Sequence, residues 1–197
     1  MGMIDRPIII PAVAADGSLY PIEKMQAHIT GQLHLAVSVF VFDGDLLLMQ
    51  RRARGKYHCG GLWANTCCSH PHWQETVEDC ASRRLREEMG IALPLMRHQT
   101  VDYDADVGAG LREHERVTLF SASADRTQLV PTPDPEEVEA TCWISLADLR
   151  REMAGAPAIF TPWLRIYLDR FPDLAFGHTT PPPLASTSSP CRCHKQK

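Results

Sequence analysis

The sequence of 197 residues predicts one α/β (α+β) domain, a mixed β-sheet covered by helices in a compact sandwich. Three observations carry that expectation. Strand-type and helix-type segments alternate irregularly along the chain, the pattern of a mixed rather than an all-parallel sheet. The length suits one domain with a core of its own. No internal repeat or second domain divides it. The expected domain runs over 21–177, with a leading segment over 1–20 and a tail over 178–197.

The leading segment reads as a strand and a turn at Asp16-Gly17. Leu35 to Phe42 is a strand rich in Val and Phe, Asp43-Gly44 makes a tight hairpin turn, and Leu46 to Arg52 returns. Ala53 to Pro71 is loop-like. Gln74 to Met89 is the strongest helix: Val77, Ala81, Leu85 and Met89 recur every four residues, Glu75, Glu78 and Asp79 suit its first turns, and Gly90 ends it. Arg112 to Ser123 alternates as a strand, the prolines over 131–135 break the chain, and Ala140 to Leu146 is another strand. Ser145 caps a short helix, and Thr161-Pro162 starts the last one. From Thr179 the sequence is Pro, Ser and Thr without periodicity, read as disordered and dispensable for chemistry.

Composition removes several function classes. Twenty Lys and Arg against 24 Asp and Glu leave a formal net charge of −4, and the cations are scattered, which argues against nucleic acid. No apolar run approaches the roughly 20 residues of a membrane span. Ile8-Ile9-Ile10 lacks the flanks of a signal peptide, and Arg6 stands where a myristoylation signal has Ser or Thr. Seven cysteines, with Cys59, Cys67, Cys68 and Cys80 clustered, Cys142 in a strand and Cys191 and Cys193 in the tail, do not form a disulfide framework. A reducing, cytoplasmic setting is the expectation. Nothing in the sequence signals an oligomeric state.

The densest chemistry lies in Gly60 to Pro71, where Cys67, Cys68 and His70 precede a charged helix ending in Glu87-Glu88-Met89-Gly90. Glu87 and Glu88 sit at the negative end of the helix dipole, with Arg83 and Arg84 one turn earlier, an order that costs a few tenths of a kcal/mol, roughly, per charge. Either the pairs Arg83–Glu87 and Arg84–Glu88 balance the carboxylates, or an external cation does. Glu88 falls near the Ala81 and Leu85 stripe and so points inward. The segment also resembles a Nudix box, with Glu75, Arg83, Leu85, Glu87 and Glu88 in place. Ser69 stands where the leading glycine belongs, and Arg84 replaces a glutamate.

A second carboxylate pair lies in Glu113-His114-Glu115. Strand alternation puts Glu113, Glu115, Val117 and Leu119 on one face, which is costly unless a cation or proton accommodates the carboxylates. The alternative is a strand whose first residues lie at the surface. His28 and His34 flank a short turn before the first hairpin strand. With His70, Glu113 and Glu115 they make a His₃Glu₂ set of the kind that suits Zn²⁺, Mn²⁺ or Mg²⁺, imidazole favouring a transition metal.

The run Trp63-Ala64-Asn65-Thr66-Cys67-Cys68-Ser69-His70-Pro71 closely resembles the type 1 isopentenyl-diphosphate Δ-isomerases, a branch of the Nudix superfamily. The early histidines, Arg51-Arg52 to Lys56, Tyr103, the Glu-x-Glu pair and Phe160-Thr161-Pro162-Trp163 follow in order, over Ile22 to Phe171. The resemblance implies a compact Nudix-type sandwich that interconverts isopentenyl and dimethylallyl diphosphate. It assigns Cys68 and Glu115 as the acid/base pair, Tyr103 as support for Glu115, and Trp163 as a π-face toward a carbocation-like intermediate. Cys67 matches a position that need not be cysteine. The implied metal ligands are His28, His34, His70, Glu113 and Glu115, with Glu88 holding a Mg²⁺ that bridges to the diphosphate. Lys24, Arg52, Lys56 and Arg84 are the implied cations for the diphosphate, with Ser69 beside Cys68 in the substrate pocket. In the forward direction the expected donor is Glu115 with Tyr103, and the acceptor is Cys68. Two rivals stand beside this reading: a Nudix hydrolase of a nucleoside diphosphate derivative, and a zinc-binding interaction module built on Cys59, Cys67, Cys68 and His70.

Overall fold

A computed structural model of the chain describes residues 7–171. The tail expected over 178–197, with Cys191 and Cys193, lies outside the described residues, as does the start of the leading segment.

One mixed sheet carries nine strands. They are β1 (Ile9–Val13), β2 (Leu19–Glu23), β3 (His34–Asp43), β4 (Leu46–Arg52), β5 (Trp63–Ala64), β6 (Cys67–Ser69), β7 (Met96–Gly108), β8 (Leu111–Ser123) and β9 (Val138–Ser145). The hub is β3. It runs parallel to β8 from His34↔Glu115 to Phe42↔Ser123, and its other edge meets in turn β1 at Ala12↔His34, β6 at Val37↔Ser69 to Val39↔Cys67, and β4 only at the hairpin. Beyond the hairpin β4 leaves β3 and pairs with β9.

Alternation along β3 divides the core. Val37, Val39 and Val41 pack with Cys80, Ala81, Leu85 and Met89 of helix α2 (Val77–Met89). Ala36, Phe40 and Phe42 face the other layer, made by α3 (Leu146–Gly155) and α4 (Pro162–Arg170) through Leu149, Trp163, Leu164, Tyr167 and Leu168. Burying one such large side chain stabilises the fold by about 1.5–3 kcal/mol, so the two stripes tie helices to both faces of the sheet.

The strands expected over 35–42, 46–52, 112–123 and 140–146 are present within two residues of those bounds. Other expectations are corrected. His28 and His34 do flank a short turn, at Gly31 with φ 64°, but His28 itself lies in an unexpected helix, α1 (Lys24–Thr30), which Glu23 caps at its start. Seven residues with sparse apolar spacing give no periodic signal, and so short a helix forms only when packed. The loop over 53–71 contains β5 and β6, each too short to show alternation. β2 and β7 were not expected at all. Helix α2 begins at Val77, because Thr76 is its N-cap and accepts from Asp79 N at 3.1 Å. Gln74, at φ 71°, and Glu75 therefore precede the helix. Glu75 instead accepts from Arg83 Nε and Nη2 at 2.6 and 2.7 Å, which fixes the approach to the helix.

Candidate active site

Strand register builds the centre of the site. His34 of β3 lies opposite Glu115 of β8, and Glu115 lies opposite Tyr103 of β7. Glu113 and Glu115 are 4% and 5% exposed, so the strand does not begin at the surface. The Tyr103 hydroxyl is 2.7 Å from Glu115 Oε2 and 3.0 Å from Glu113 Oε2. One phenolic proton serves only one carboxylate. Burial and the charge of Glu115 push Glu113 well above the ordinary carboxylate range. Burial opposes the charge on Glu115 as well, but His34 and His70 outweigh it and hold that carboxyl well below the usual range.

The three implied metal histidines arrive from three elements. His28, in the last turn of α1, donates from Nδ1 to Lys24 O at 2.7 Å, and His34 donates from Nδ1 to Gln32 O at 2.7 Å. A carbonyl only accepts, so both rings are fixed with Nε2 as the bare nitrogen. Both Nε2 atoms are buried without a hydrogen-bond partner. His70 Nε2 lies 2.8 Å from Glu115 Oε1. Ligand atoms of His28, His34, His70 and Glu115 all fall within 4.8 Å of one another. Bare, oriented imidazole nitrogens beside a buried carboxylate fit a divalent cation, which would relieve their desolvation. Glu113, the fifth implied ligand, converges instead with His28 and His58.

Cys68 and Cys67 are separated by the pleat of β6. Cys67 is fully buried in the α2 core. Cys68 faces the pocket, donating from Sγ to Asn65 Oδ1 at 3.0 Å, with Ser38 Oγ 3.3 Å away and Tyr167 OH 3.0 Å beyond Ser38. Asn65 is itself anchored, its amide donating to the carbonyls of Val39 and Cys67. Burial pushes the Cys68 thiol up to about 12, against the pull of Ser38 and Asn65, so its resting form is protonated. Among the described residues the groups able to converge on a metal hold only His and Glu, and Cys67 and Cys68 face opposite sides. The zinc module built on Cys59, Cys67, Cys68 and His70 is thereby overturned.

The cations Lys24, Arg52, Lys56 and Arg84 line a cavity together with Cys68, Ser69, Glu115 and Trp163. Lys24 Nζ lies 4.7 Å over the Tyr57 ring, and burial together with Lys56, Arg84 and Arg52 brings its pKa down to about 8. The Arg52 guanidinium lies 5.3 Å from the Trp163 ring centre. Arg84 reaches Glu88 at 2.7 Å and Glu137 at 3.1 Å, and Lys56 pairs with Glu137. Both helix ion pairs read from sequence are present, since Arg83 also meets Glu87 at 3.0 Å. Glu88 is nevertheless 3% exposed and lines the cavity, so pairing with Arg84 and facing the pocket are compatible. Sequence reasoning missed Ser38, Asn65, Tyr57, His58, Glu137 and Tyr167. Asn65 lay within the motif, where its position beside Cys68 was the available signal. Glu137 follows a proline-broken stretch, and neither it nor His58 carries any periodic mark.

A fold with this sheet, this charged helix and this pocket defines a class before it defines a protein. A NUDIX domain family matches residues 32–164. A solved MutT NUDIX hydrolase from Burkholderia pseudomallei shares 27% identity at a TM-score of 0.55, covering 71% of this chain and 98% of that one. A structure from Deinococcus radiodurans superposes at a TM-score of 0.67 with 13% identity, over 83% of this chain and 99% of that one, which speaks to the fold alone. Among curated relatives, isopentenyl-diphosphate Delta-isomerases from Cereibacter sphaeroides and Rhodobacter capsulatus are 54% and 48% identical, covering 87% of this chain in both cases and 96% and 97% of the relatives. The chain belongs to the NUDIX superfamily and, within it, to the isopentenyl-diphosphate Delta-isomerase family. It is an enzyme acting on a small molecule. No helix among the described residues is long and apolar enough to cross a membrane.

Proposed function

We propose that the protein interconverts isopentenyl diphosphate and dimethylallyl diphosphate through a catalytic unit spanning 21–177. One observation carries the reading. A thiol, Cys68, and a carboxyl, Glu115, line one pocket together with the cations Lys24, Arg52, Lys56 and Arg84. Moving a double bond by one carbon needs one proton delivered and another taken two carbons away, so the two groups must start in opposite states.

Cys68 and Glu115 are the proposed acid/base pair, exchanging donor and acceptor roles between the two directions of the reaction. Tyr103 holds Glu115 in place and supplies a hydrogen bond that follows the carboxyl through its change of charge. Asn65 aims the Cys68 sulfur. Trp163, 2% exposed, closes the apolar side, excludes water that would trap a carbocation-like intermediate as an alcohol, and offers it a π-face. Lys24, Arg52, Lys56 and Arg84 anchor the diphosphate, orienting the alkene without joining the chemistry. His28, His34, His70, Glu113 and Glu115 are the proposed ligands of a Mn²⁺, Mg²⁺ or Zn²⁺ ion, and Glu88 of a diphosphate-bridging Mg²⁺. When bound, these ions supply positive charge that holds Glu115 ionised and screens the diphosphate. All five described cysteines are free thiols, which supports a reducing, cytoplasmic setting.

The hydrolase reading is weaker. It needs a cluster of box carboxylates facing the pocket, whereas Glu75 is clasped by Arg83 and Arg84 occupies a carboxylate position. Proton NMR of isopentenyl diphosphate incubated with the protein and Mg²⁺ decides. The expected result is the appearance of the two methyl resonances of the dimethylallyl product. Release of phosphate without that product would overturn the isomerase reading.

A further inference from the structure

Ser38 interrupts an apolar stripe. Along β3, alternation sets it on the same face as Ala36, Phe40 and Phe42, and a buried hydroxyl there is costly unless it is bonded. Strand register puts Ser38 directly opposite Cys68 of β6. Its Oγ lies 3.3 Å from Cys68 Sγ and 3.0 Å from the hydroxyl of Tyr167, a buried residue of α4. The directions of these bonds follow from what each group can give. The Asn65 amide nitrogen donates to the carbonyls of Val39 and Cys67 at 3.0 and 3.2 Å, so Asn65 turns its oxygen toward the sulfur and accepts from the thiol. Among the described residues, Ser38 Oγ is the hydrogen-bond partner of the Tyr167 hydroxyl. Were Ser38 to donate to that hydroxyl, the phenolic hydrogen would be buried without an acceptor, which is expensive in the interior. Tyr167 therefore donates to Ser38, and the Ser38 proton turns to the Cys68 sulfur.

We propose that Ser38 and Tyr167 are positioning residues for Cys68, a chain of two hydroxyls that supports the sulfur while its proton is on the substrate. The inference rests on the acid/base role put forward for Cys68 under Proposed function. When Cys68 is the donor, its S–H bond breaks as a C–H bond forms from the π pair of the alkene, and the S–H electron pair stays on sulfur. When it is the acceptor, the same step runs backwards. In both directions the sulfur passes through a negatively charged form, to which Asn65 offers only an oxygen. Ser38 is then the donor, and Tyr167, by donating to Ser38 Oγ, polarises that hydroxyl and strengthens it. A hydrogen bond to an ionised acceptor is about twice as strong as one to a neutral acceptor. The contact therefore tightens as the proton leaves, and it acts on kcat rather than on substrate binding.

The test is a double-mutant cycle on the whole protein, with steady-state conversion of isopentenyl diphosphate in Mg²⁺ and thermal unfolding measured on every variant. Ser38→Ala should lower kcat about tenfold to a hundredfold while KM stays within about twofold. Tyr167→Phe keeps the ring against Phe40 and Tyr103 and should lower kcat about threefold to tenfold. The double variant should have the kcat of Ser38→Ala alone, because Tyr167 acts through Ser38. Stability should move differently. Ser38→Ala strands the Tyr167 hydroxyl and lowers Tm, whereas the double variant removes both partners and regains most of the loss. A packing role would make kcat follow Tm. Three results overturn the inference: a Ser38→Ala kcat within about twofold of wild type, an equal kcat loss from Tyr167→Phe with and without Ser38, or a kcat that recovers with Tm in the double variant. If Ser38→Ala does not fold, Tyr167→Phe decides: a lower kcat at constant KM supports the chain, and an unchanged kcat overturns it. Loss of turnover in Cys68→Ala but not in Ser38→Ala leaves the acid/base reading standing and removes the added pair. Wild-type protein that forms no dimethylallyl diphosphate overturns both.

Discussion

The two faces of the sheet are built from the same strands yet do different work, and neighbouring residues show why. Cys67 and Cys68 differ by one step of the β6 pleat. Cys67 is a small buried hydrophobe against α2, while Cys68 meets Ser38 and Asn65 in the pocket. Arg83 and Arg84 differ by 100° of helix. Arg83 clasps Glu75 and Glu87 on the outer side of α2, and Arg84 reaches Glu88 and Glu137 at the pocket mouth. Chemical identity is the same within each pair. The environment sets one member in the core or on the outer side of α2 and the other in the pocket, and it is the side chain's direction that selects the environment.

The sharpest way to break this contrast is the cysteine pair. Cys68→Ala should lower kcat by roughly 10³-fold, the range of a lost acid/base group. Cys67→Ala should keep turnover within a few-fold and cost about 1 kcal/mol of stability, as small buried truncations do. Equal losses of turnover in steady-state assays would refute the division of the strand into two faces.

Next in size is Gly90, which stops α2 on the structural side at φ 66°, with any Cβ placed 2.0 Å from Thr132 Oγ1. Gly90→Ala should destabilise the fold by roughly 2–3 kcal/mol through strain and overlap. Denaturant unfolding measures this, and an unchanged midpoint would show that the segment around Thr132 yields freely.

The arginine pair comes third. Arg84→Ala should raise KM for the diphosphate substrate about tenfold or more, since a charged hydrogen bond contributes about 1.5–3 kcal/mol. Arg83→Ala should leave KM unchanged and lower stability by about 1 kcal/mol, because its pairs are partly exposed. A KM effect from Arg83→Ala as large as that of Arg84→Ala would erase the distinction between the two sides of the helix.

The smallest effect concerns pH. Lys24, with a pKa brought down to about 8, is charged below that value and neutral above it. The attraction for the diphosphate proposed for it is therefore expected at pH 7 and expected to be lost as pH rises through 8. The expected result is a kcat/KM that falls above about pH 8 in wild type, with that limb moved to higher pH in Lys24→Arg. A flat kcat/KM from pH 7 to 9.5 would remove Lys24 from the cationic ring.

Much of this was legible in the chain itself. Period-two runs located β3, β4, β8 and β9, and a period near four located α2, because each signal repeats often enough to stand out. The same alternation predicted that Glu113 and Glu115 share a buried face, which the structure bears out. Family resemblance named Cys68, Glu115, Tyr103 and the histidines. Short or late-arriving elements were not legible. α1, β5 and β6 exist through their partners, and the helix that carries His28 reads locally as a turn.

The sequence by itself determined the covalent order of thiol, imidazole and carboxylate and the periodicities that bury one face of each element. Only the tertiary structure decided which groups meet. The parallel register of β3 and β8 sets His34 beside Glu115, and the antiparallel register of β7 sets Tyr103 opposite it. It brought Glu137 to Lys56 and Arg84, and divided the expected metal ligands between a group with His34 and a group with His58. The physical reason is that periodicity reports which way a side chain points, whereas convergence depends on strand register and loop closure, which are set by long-range packing.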